Sequence, residues 1–449
     1  MFFQSQAVNL VTATLQAAIN QADRQRKERA EKQLLLYQGE QEIFIQANLA
    51  RTHQNPENLT PAGFNIVKKI IRALAMVYNQ DAKRRIEGSE KDQEIFNQIE
   101  TTANLAVTMK AANRLSKLLG TVLLRPLWRN GKMELDIILP DVADVQWGDT
   151  PADLLEVVVT QNCQNGQASG VTYSKWTPEL FQLYNHNGKF LEEYENPYGR
   201  LPFVPIWSEP PLDNFWLPGA TDLIMIQDAI NSILTDLLYT MRFQSYSLLY
   251  TKGAGLEAQK QLTVGPGRCI HLPKDADIGF SSPAAKIAEA LAAVENLVKQ
   301  AAMSNGLSAA SVNIRPTEES GRAKLVSNAE LEEMRSDDLA LFARYEDQLF
   351  DLFRSIWNIH NTGRTISPEA VLWCQFYQSE PSQTPFEKTS NFRALVDLGV
   401  WSKVDVVMAL NPDLDRETAT RQLEATQAEI TKFDEINMPS LAGFNFPSE

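Results

Sequence analysis

Residues 219–242 read GATDLIMIQDAINSILTDLLYTMR. Leu223, Ile226, Ile230, Ile233, Leu237 and Met241 recur at spacings of three and four, which predicts a long amphipathic helix. At 1.5 Å per residue such a helix spans about 36 Å. A second stripe of the same kind follows in Ile287, Leu291, Val294, Val298 and Ala301, with Pro283 placed to open its helix. Between the stripes, Tyr246–Thr251 is strand-like, and Gly253, Gly255, Gly265, Pro266, Gly267 and Pro273 punctuate the rest. Residues 245–282 are therefore expected to form a small αβ insert at one tip of a helix pair.

Upstream of the pair the texture is β. Thr121–Arg129 and Met133–Leu139 flank the turn dipeptide Asn130-Gly131, and Phe181–Tyr184 and Phe190–Tyr194 flank Asn187-Gly188. With Leu155–Gln161 and Val171–Trp176 they make about six short strands, antiparallel and meander-like. Pro202, Pro205, Pro210, Pro211 and Pro218 close this module, with Trp207, Phe215 and Trp216 between them. Still earlier the chain reads as helix: a stripe at Val8, Val11, Leu15, Ala18 and Ile19, another across Phe64–Val77, and a third expected as one helix from Asp92 to Leu119, stopped by Gly120. Basic residues from Arg24 to Lys32 alternate with Glu28 and Glu31, the pattern of a solvated helix face.

Downstream, Ser304–Glu319 (SNGLSAASVNIRPTEE) has no stripe and holds Gly306 and Pro316, so a loop is expected; loops of this length carry function or are disordered. A very long helix should run from Gly321 to His360, followed by a strand over Val371–Tyr377, helices over Phe386–Leu398, Lys403–Leu410 and Asp415–Phe433, and a tail from Asn437. The fold class is α+β, mostly helical.

At 449 residues the chain has room for about three domains. Its 22% charged and 44% hydrophobic residues are ordinary globular values. No apolar run reaches the length of a membrane helix, so neither a membrane role nor export is expected. Cys163, Cys269 and Cys374 are odd in number and far apart, which suits a reducing compartment. The net charge is −14, and from Ser320 onward 21 acidic residues face 12 basic ones. That balance disfavours tight adhesion to DNA, which draws on clustered Lys and Arg, but leaves DNA possible as a passenger.

Catalytic motifs are missing from the sequence. Gly131-Lys132 and Gly188-Lys189 lack the spacing of a phosphate-binding loop. His53, His186, His271 and His360 are scattered, and Cys269 with His271 has no second pair at metal spacing. Glu332-Glu333 and Asp337-Asp338 lie on a helix, where a solvated surface is expected rather than a two-metal centre. No cofactor, metal or catalytic residue is assigned.

The order of parts resembles the portal proteins of tailed bacteriophages. The likeness attaches to Leu34-Leu35-Leu36-Tyr37-Gln38-Gly39, to Phe64–Tyr78, and to Gly199-Arg200-Leu201-Pro202-Phe203-Val204-Pro205 followed by Gly219–Asp236. It continues in Ser320-Gly321-Arg322-Ala323-Lys324, then in Phe376–Pro385, Leu395–Ser402 and Asn411–Glu424.

The resemblance implies a homo-oligomeric ring, typically a dodecamer, at the capsid vertex of the virion, through which double-stranded DNA is packaged and ejected. It implies a wing over residues 1–220, a first stem helix over 221–244, a clip over 245–282 and a second stem helix over 283–303. A tunnel loop over 304–319, a long helix with returning wing strand over 320–385, and a helical crown with tail over 386–449 complete the layout. Ile226, Ile230, Leu237, Ile287, Leu291, Val294 and Val298 would pack the stem, and Ser304, Asn305, Gly306, Ser308, Asn313 and Arg315 would border the DNA channel. Lys260, Arg268, His271, Lys274 and Asp275 of the clip would dock terminase and then a head-tail adaptor. Major capsid and scaffolding proteins are further implied partners, assembly would take place in the host cytoplasm, and no enzymatic activity is implied. The alternatives are another virion ring or adaptor, usually much smaller, and a metal-dependent DNA-processing enzyme.

Overall fold

The computed structural model describes residues 21–52, 59–163, 170–244, 248–252, 277–281, 287–308, 329–377, 385–411 and 414–437. The expected stripe at Val8–Ile19 and the tail after Asn437 lie outside these. The chain divides into two compact units, one of Met1–Glu318 with Val326–Gln378, the other of Glu319–Leu325 with Ser379–Glu449.

The first unit opens with three helices, α1 (Gln21–Gln38), α2 (Gln41–Thr52) and α3 (Ile66–Leu74). In α3 the apolar residues Ile66, Val67, Ile70, Ile71 and Leu74 are all buried, and Asn65 caps the helix by accepting from the Lys68 backbone N–H at 2.9 Å. Strand β1 (Lys83–Glu87) follows, then α4 (Glu90–Thr102) and α5 (Leu105–Leu119). The single helix expected over Asp92–Leu119 is thus two. Asn104 takes a left-handed conformation (φ 49°) between them, a state asparagine tolerates better than most residues. The break resets the helical phase. Continued from Ile95 and Ile99, the buried face would have met Lys110 and Lys117; after the break it presents Leu105, Met109 and Ala112, all buried.

Eight strands come next: β2 (Thr121–Arg129), β3 (Lys132–Ile138), β4 (Ala143–Trp147), β5 (Leu154–Cys163), β6 (Gly170–Trp176), β7 (Leu180–Asn185), β8 (Phe190–Glu195) and β9 (Val204–Trp207). They form two sheets, β3-β2-β9 and the meander β4-β5-β6-β7-β8. The proline-punctuated stretch expected only to close the module therefore supplies a strand of its own. Pro205 lacks an N–H, which suits it to an edge, and Tyr345 covers that edge by accepting from the Trp207 backbone N–H at 3.2 Å. Trp207 and Phe215, which the sequence places among these prolines, are core residues. At the far edge of the meander, β8 exposes every residue and carries Glu192, Glu193 and Glu195, charges that discourage further strand pairing.

After β9 run α6 (Thr221–Gln244), the hairpin β10 (Leu248–Lys252) with β11 (Asp277–Ser281), α7 (Ile287–Met303), α8 (Ala329–His360) and β12 (Val371–Gln375). Strand β12 pairs antiparallel with β1, Ile86 opposite Leu372, and so ties residues far apart in sequence. Beneath this pair lies a buried network. Glu346 accepts from Arg84 Nε at 2.9 Å, Arg84 Nη2 at 2.7 Å and the Tyr78 hydroxyl at 2.7 Å. Asp338, expected on a solvated face, is instead buried and ion-paired with Lys117 at 2.8 Å. Arg26 and Lys27, from the basic run expected to be solvated, both pair with Asp144 at 2.6 Å.

The second unit holds α9 (Pro385–Asp397), α10 (Lys403–Leu410) and α11 (Arg416–Asn437). Ser402 and Asp405 make a reciprocal cap at the start of α10, and Phe392 stacks on Trp401 at 5.9 Å. Ala419 is the one buried hydrophobic among its described residues.

Candidate functional site

The helix pair α6 and α7 differs from the rest of the first unit in how its apolar face is covered. Along the first turns of α6, Leu223, Ile224 and Ile230 are buried. Between them a row of polar residues at i, i+4 and i+8 is buried too: Gln227, Asn231 and Thr235. Gln227 and Thr235 find partners at the start of α3 and in the segment before it, and Asn231 Oδ1 accepts from Gln227 Nε2 at 2.8 Å. Gln227 accepts from the Ile66 backbone N–H at 3.0 Å and donates to the Phe64 carbonyl at 2.9 Å, while Thr235 accepts from the Ala62 N–H at 3.1 Å. Gly63 permits this approach, since a Cβ there would lie 2.2 Å from Asn231 Oδ1. Lys32 pairs with Asp228 at 2.5 Å. The polar row was not legible as an anchor in the sequence; its four-residue spacing beside the apolar stripe was the available signal.

The backbone at the start of α6 is equally fixed. Gly219 (φ 64°) passes so close to α5 that a Cβ would sit 2.4 Å from the Leu118 carbonyl oxygen, and Gly120 (φ 81°) meets Leu217 at the same distance. The Ala220 N–H donates to that Leu118 carbonyl at 2.9 Å.

Toward the hairpin the coverage ends. On α6, Leu237 is 9% exposed, but Met241, the next residue of the stripe, is 44%, and Leu238 beside them is 46%. On α7 the gradient runs the other way along the chain: Leu291 is 45% exposed, then Val294, Val298, Ala301 and Ala302 are buried. Ile226 and Ile287 are half-buried. So Ile230, Leu237, Val294 and Val298 are already covered within one chain. The apolar residues left exposed include Leu238, Met241 and Leu291 toward the hairpin, and Met225 and Met303 at the opposite ends of the two helices.

Helix α7 ends in a glycine cap. The Gly306 N–H (φ 68°) donates to Met303 at 3.1 Å and the Leu307 N–H to Ala302 at 2.9 Å, with Leu307 buried beneath. Asn305 Nδ2 donates to the Ala301 carbonyl at 2.8 Å. Ser304, Asn305 and Gly306 form the turn that caps the helix after Met303, and Ser308 follows it, where the loop was expected to begin; its remainder from 309 lies outside the described residues. Asn313 and Arg315 lie outside the described residues, as do Lys260, Arg268, His271, Lys274 and Asp275.

Perturbed ionisable groups sit away from this pair. Burial first, then the charge of Glu346, pushes the Tyr78 hydroxyl well above its ordinary pKa. The same two causes push the Cys374 thiol up to about 12, which leaves it protonated and unreactive. Burial raises Asp338 against the opposing charge of Lys117. Among the described residues no group of three His, Cys, Asp or Glu could hold a metal ion, and no helix is long and apolar enough to cross a membrane.

Residues 16–382 match the family described as phage portal protein, SPP1 Gp6-like. The chain belongs to that family. It is a phage portal-vertex protein, and the family is structural rather than enzymatic. The match covers most of the first unit and stops before α9, so helices α9, α10 and α11 lie beyond it. No curated protein matches the sequence. Among solved structures, the neck of an empty gene transfer agent particle, computed with C6 symmetry, is similar at 11% identity over 78% of this chain and 90% of that chain, with a TM-score of 0.45. The virion of a native gene transfer agent particle is similar at 13% identity over 76% and 87%, with a TM-score of 0.39. The neck of the native particle, computed with C12 symmetry, gives 12% identity over 77% and 88%, also at 0.39.

Proposed function

We propose that this portal protein assembles into a closed ring, twelve copies by the family resemblance, through which double-stranded DNA passes during packaging and ejection. The observation that carries the reading is the burial gradient along α6 and α7. Gln227 and Thr235 tie α6 to the start of α3 and the segment before it, while Leu238 on α6 and Leu291 on α7 stay exposed toward the hairpin. A head-to-tail contact repeated by rotation covers such residues on every copy and closes into a ring. The segment 304–319 then borders the channel, with Arg315 a transient phosphate contact, and the clip over 245–282 docks terminase and afterward an adaptor. Major capsid and scaffolding proteins meet the outer face, assembly takes place in the host cytoplasm, and the chain performs no chemistry itself.

The test separates folding from assembly. Leu291→Asp should leave a folded chain that no longer forms rings by mass measurement. Ile230→Asp, at a position buried within the chain, should fail to fold. Wild-type protein that stays a compact monomer at micromolar concentration would overturn the ring, and so would rings of Leu291→Asp as stable as the parent's.

A further inference from the structure

The GRLPFVP stretch at 199–205 borders a cavity on which the proposed ring contacts do not draw. It lines a cavity of about 470 Å³ together with the β4–β5 turn, the proline-bearing loop after β9 and the middle of α8. The floor is apolar: Leu201, Phe203 and Leu352 are buried. The polar groups at its wall are short of partners. Arg200 donates from Nη2 to the Asp351 carbonyl, but its Nε is buried with no hydrogen-bond partner among the described residues. Arg344 is exposed and has no ion pair among the described residues, and Gln348 makes no hydrogen bond among them. Asp351 is the one acidic residue lining the cavity, and its carboxylate is taken by Arg354 at 2.7 Å. Burial also lowers the Arg200 pKa from its ordinary value, the mark of a guanidinium removed from water without a full counter-charge.

We propose that this cavity binds an extended acidic peptide segment of another protein, a carboxylate seated at Arg200 and Arg344 and an aliphatic side chain on the floor. Each part of the ligand answers a group on the wall. A carboxylate supplies the acceptor that Arg200 Nε lacks and the counter-charge Arg344 lacks. The Gln348 amide offers one donor and one acceptor to a passing peptide unit. Pro205, Pro210 and Pro211 have no N–H, so this rim presents few backbone donors of its own and leaves hydrogen bonding to the side chains. The enclosed apolar floor fits an aliphatic group and excludes a duplex, whose phosphates could reach only exposed Arg344.

Anisotropy of a fluorescent, end-capped peptide alternating aspartate with leucine, titrated with the full-length protein as purified, tests the proposal whether or not rings are present. Saturable binding is expected, weakened about tenfold, roughly 1.4 kcal/mol, by Arg344→Glu, with thermal stability unchanged because Arg344 is exposed. The same peptide with asparagine for aspartate should lose a similar factor. Three results would each overturn the assignment: no binding at about 1 mM peptide, equal binding of the asparagine peptide, or binding indifferent to Arg344→Glu. Displacement by a DNA duplex at equal concentration would do the same, by making the arginines a phosphate surface.

Discussion

Glu346 is the position where the first unit is most exposed to a single substitution. Its carboxylate and the Arg84 side chain are each 1% exposed, and three short hydrogen bonds converge on it, two of them from the guanidinium. Glu100 gives Arg84 a second carboxylate at 2.9 Å, but that one is a third exposed and therefore screened. Glu346→Gln keeps the shape and an acceptor while removing the charge, so it strands a buried guanidinium. Removing one partner of a buried pair costs about 3–5 kcal/mol, and the surviving Glu100 contact and amide acceptor place this case near the lower end. Because β1 and β12 lie over the network, the loss should register locally as faster amide exchange across Lys83–Glu87 and Val371–Gln375. Hydrogen exchange is the better assay, since a chain of two units gives no single unfolding free energy. Replacing both residues, Arg84→Met with Glu346→Leu, should cost less than Glu346→Gln alone, because no charge is then stranded. A cost under about 1 kcal/mol for Glu346→Gln, or a double variant worse than the single one, would refute the view that desolvation dominates here.

Gly219→Ala should lower the melting temperature more than Gly199→Ala: both have positive φ, which costs about 1 kcal/mol or more, but only Gly219 would drive a Cβ into backbone. Asp92 accepts from the Ser367 N–H at 2.9 Å and from the Ser89 N–H and hydroxyl at 3.0 and 2.7 Å. Burial works against its ionised form, yet these bonds hold its pKa below the ordinary value. The stability they give is present above the unfolded pKa and lost as pH falls through the folded one, so Asp92→Asn should cost about 1–2 kcal/mol at neutral pH and show a shallower acid limb in a pH series of thermal melts.

What the sequence showed was whatever a local period can show. The stripes of α6 and α7, the hairpin dipeptides, and the order of helix, sheet, helix pair and long helix all follow from spacings within a few turns. What it hid depends on distant partners. Strand β1 has three charged or basic residues among its first three positions and reads as polar; only its pairing with β12, nearly 300 residues on, makes Ile86 a core residue. Val204–Trp207 carries a proline and looks like linker until Thr121–Leu124 lies beside it. Asp338 and Glu346 read as surface charge on a helix because Lys117 and Arg84 come from elsewhere. For the helix pair, the period located the apolar face but not its anchor, since that is made by Gln227 and Thr235 bonding to the Ile66 and Ala62 backbone far earlier in the chain.

Charge gives the channel proposal its sharpest consequence. The two helices carry Asp222, Asp228, Asp236, Glu289 and Glu295 against Arg242 and Lys299. Asp228 is paired with Lys32; by sequence the two helices hold five acidic residues against two basic ones, and the chain as a whole carries −14. A conduit must let phosphates pass in both directions. Each phosphate neutralised by a fixed cation releases counterions and strengthens binding, so a basic lumen repeated on every copy would act as a brake that tightens as salt falls. An acidic helix pair does the reverse and leaves duplex DNA held by position rather than affinity. The purified ring should therefore retain little duplex in a filter-binding titration at about 0.15 M salt, where charges beyond about 8 Å are screened. Sub-micromolar retention with a steep salt slope would mean that the lysines and arginines of the ring, and not these carboxylates, face the hole.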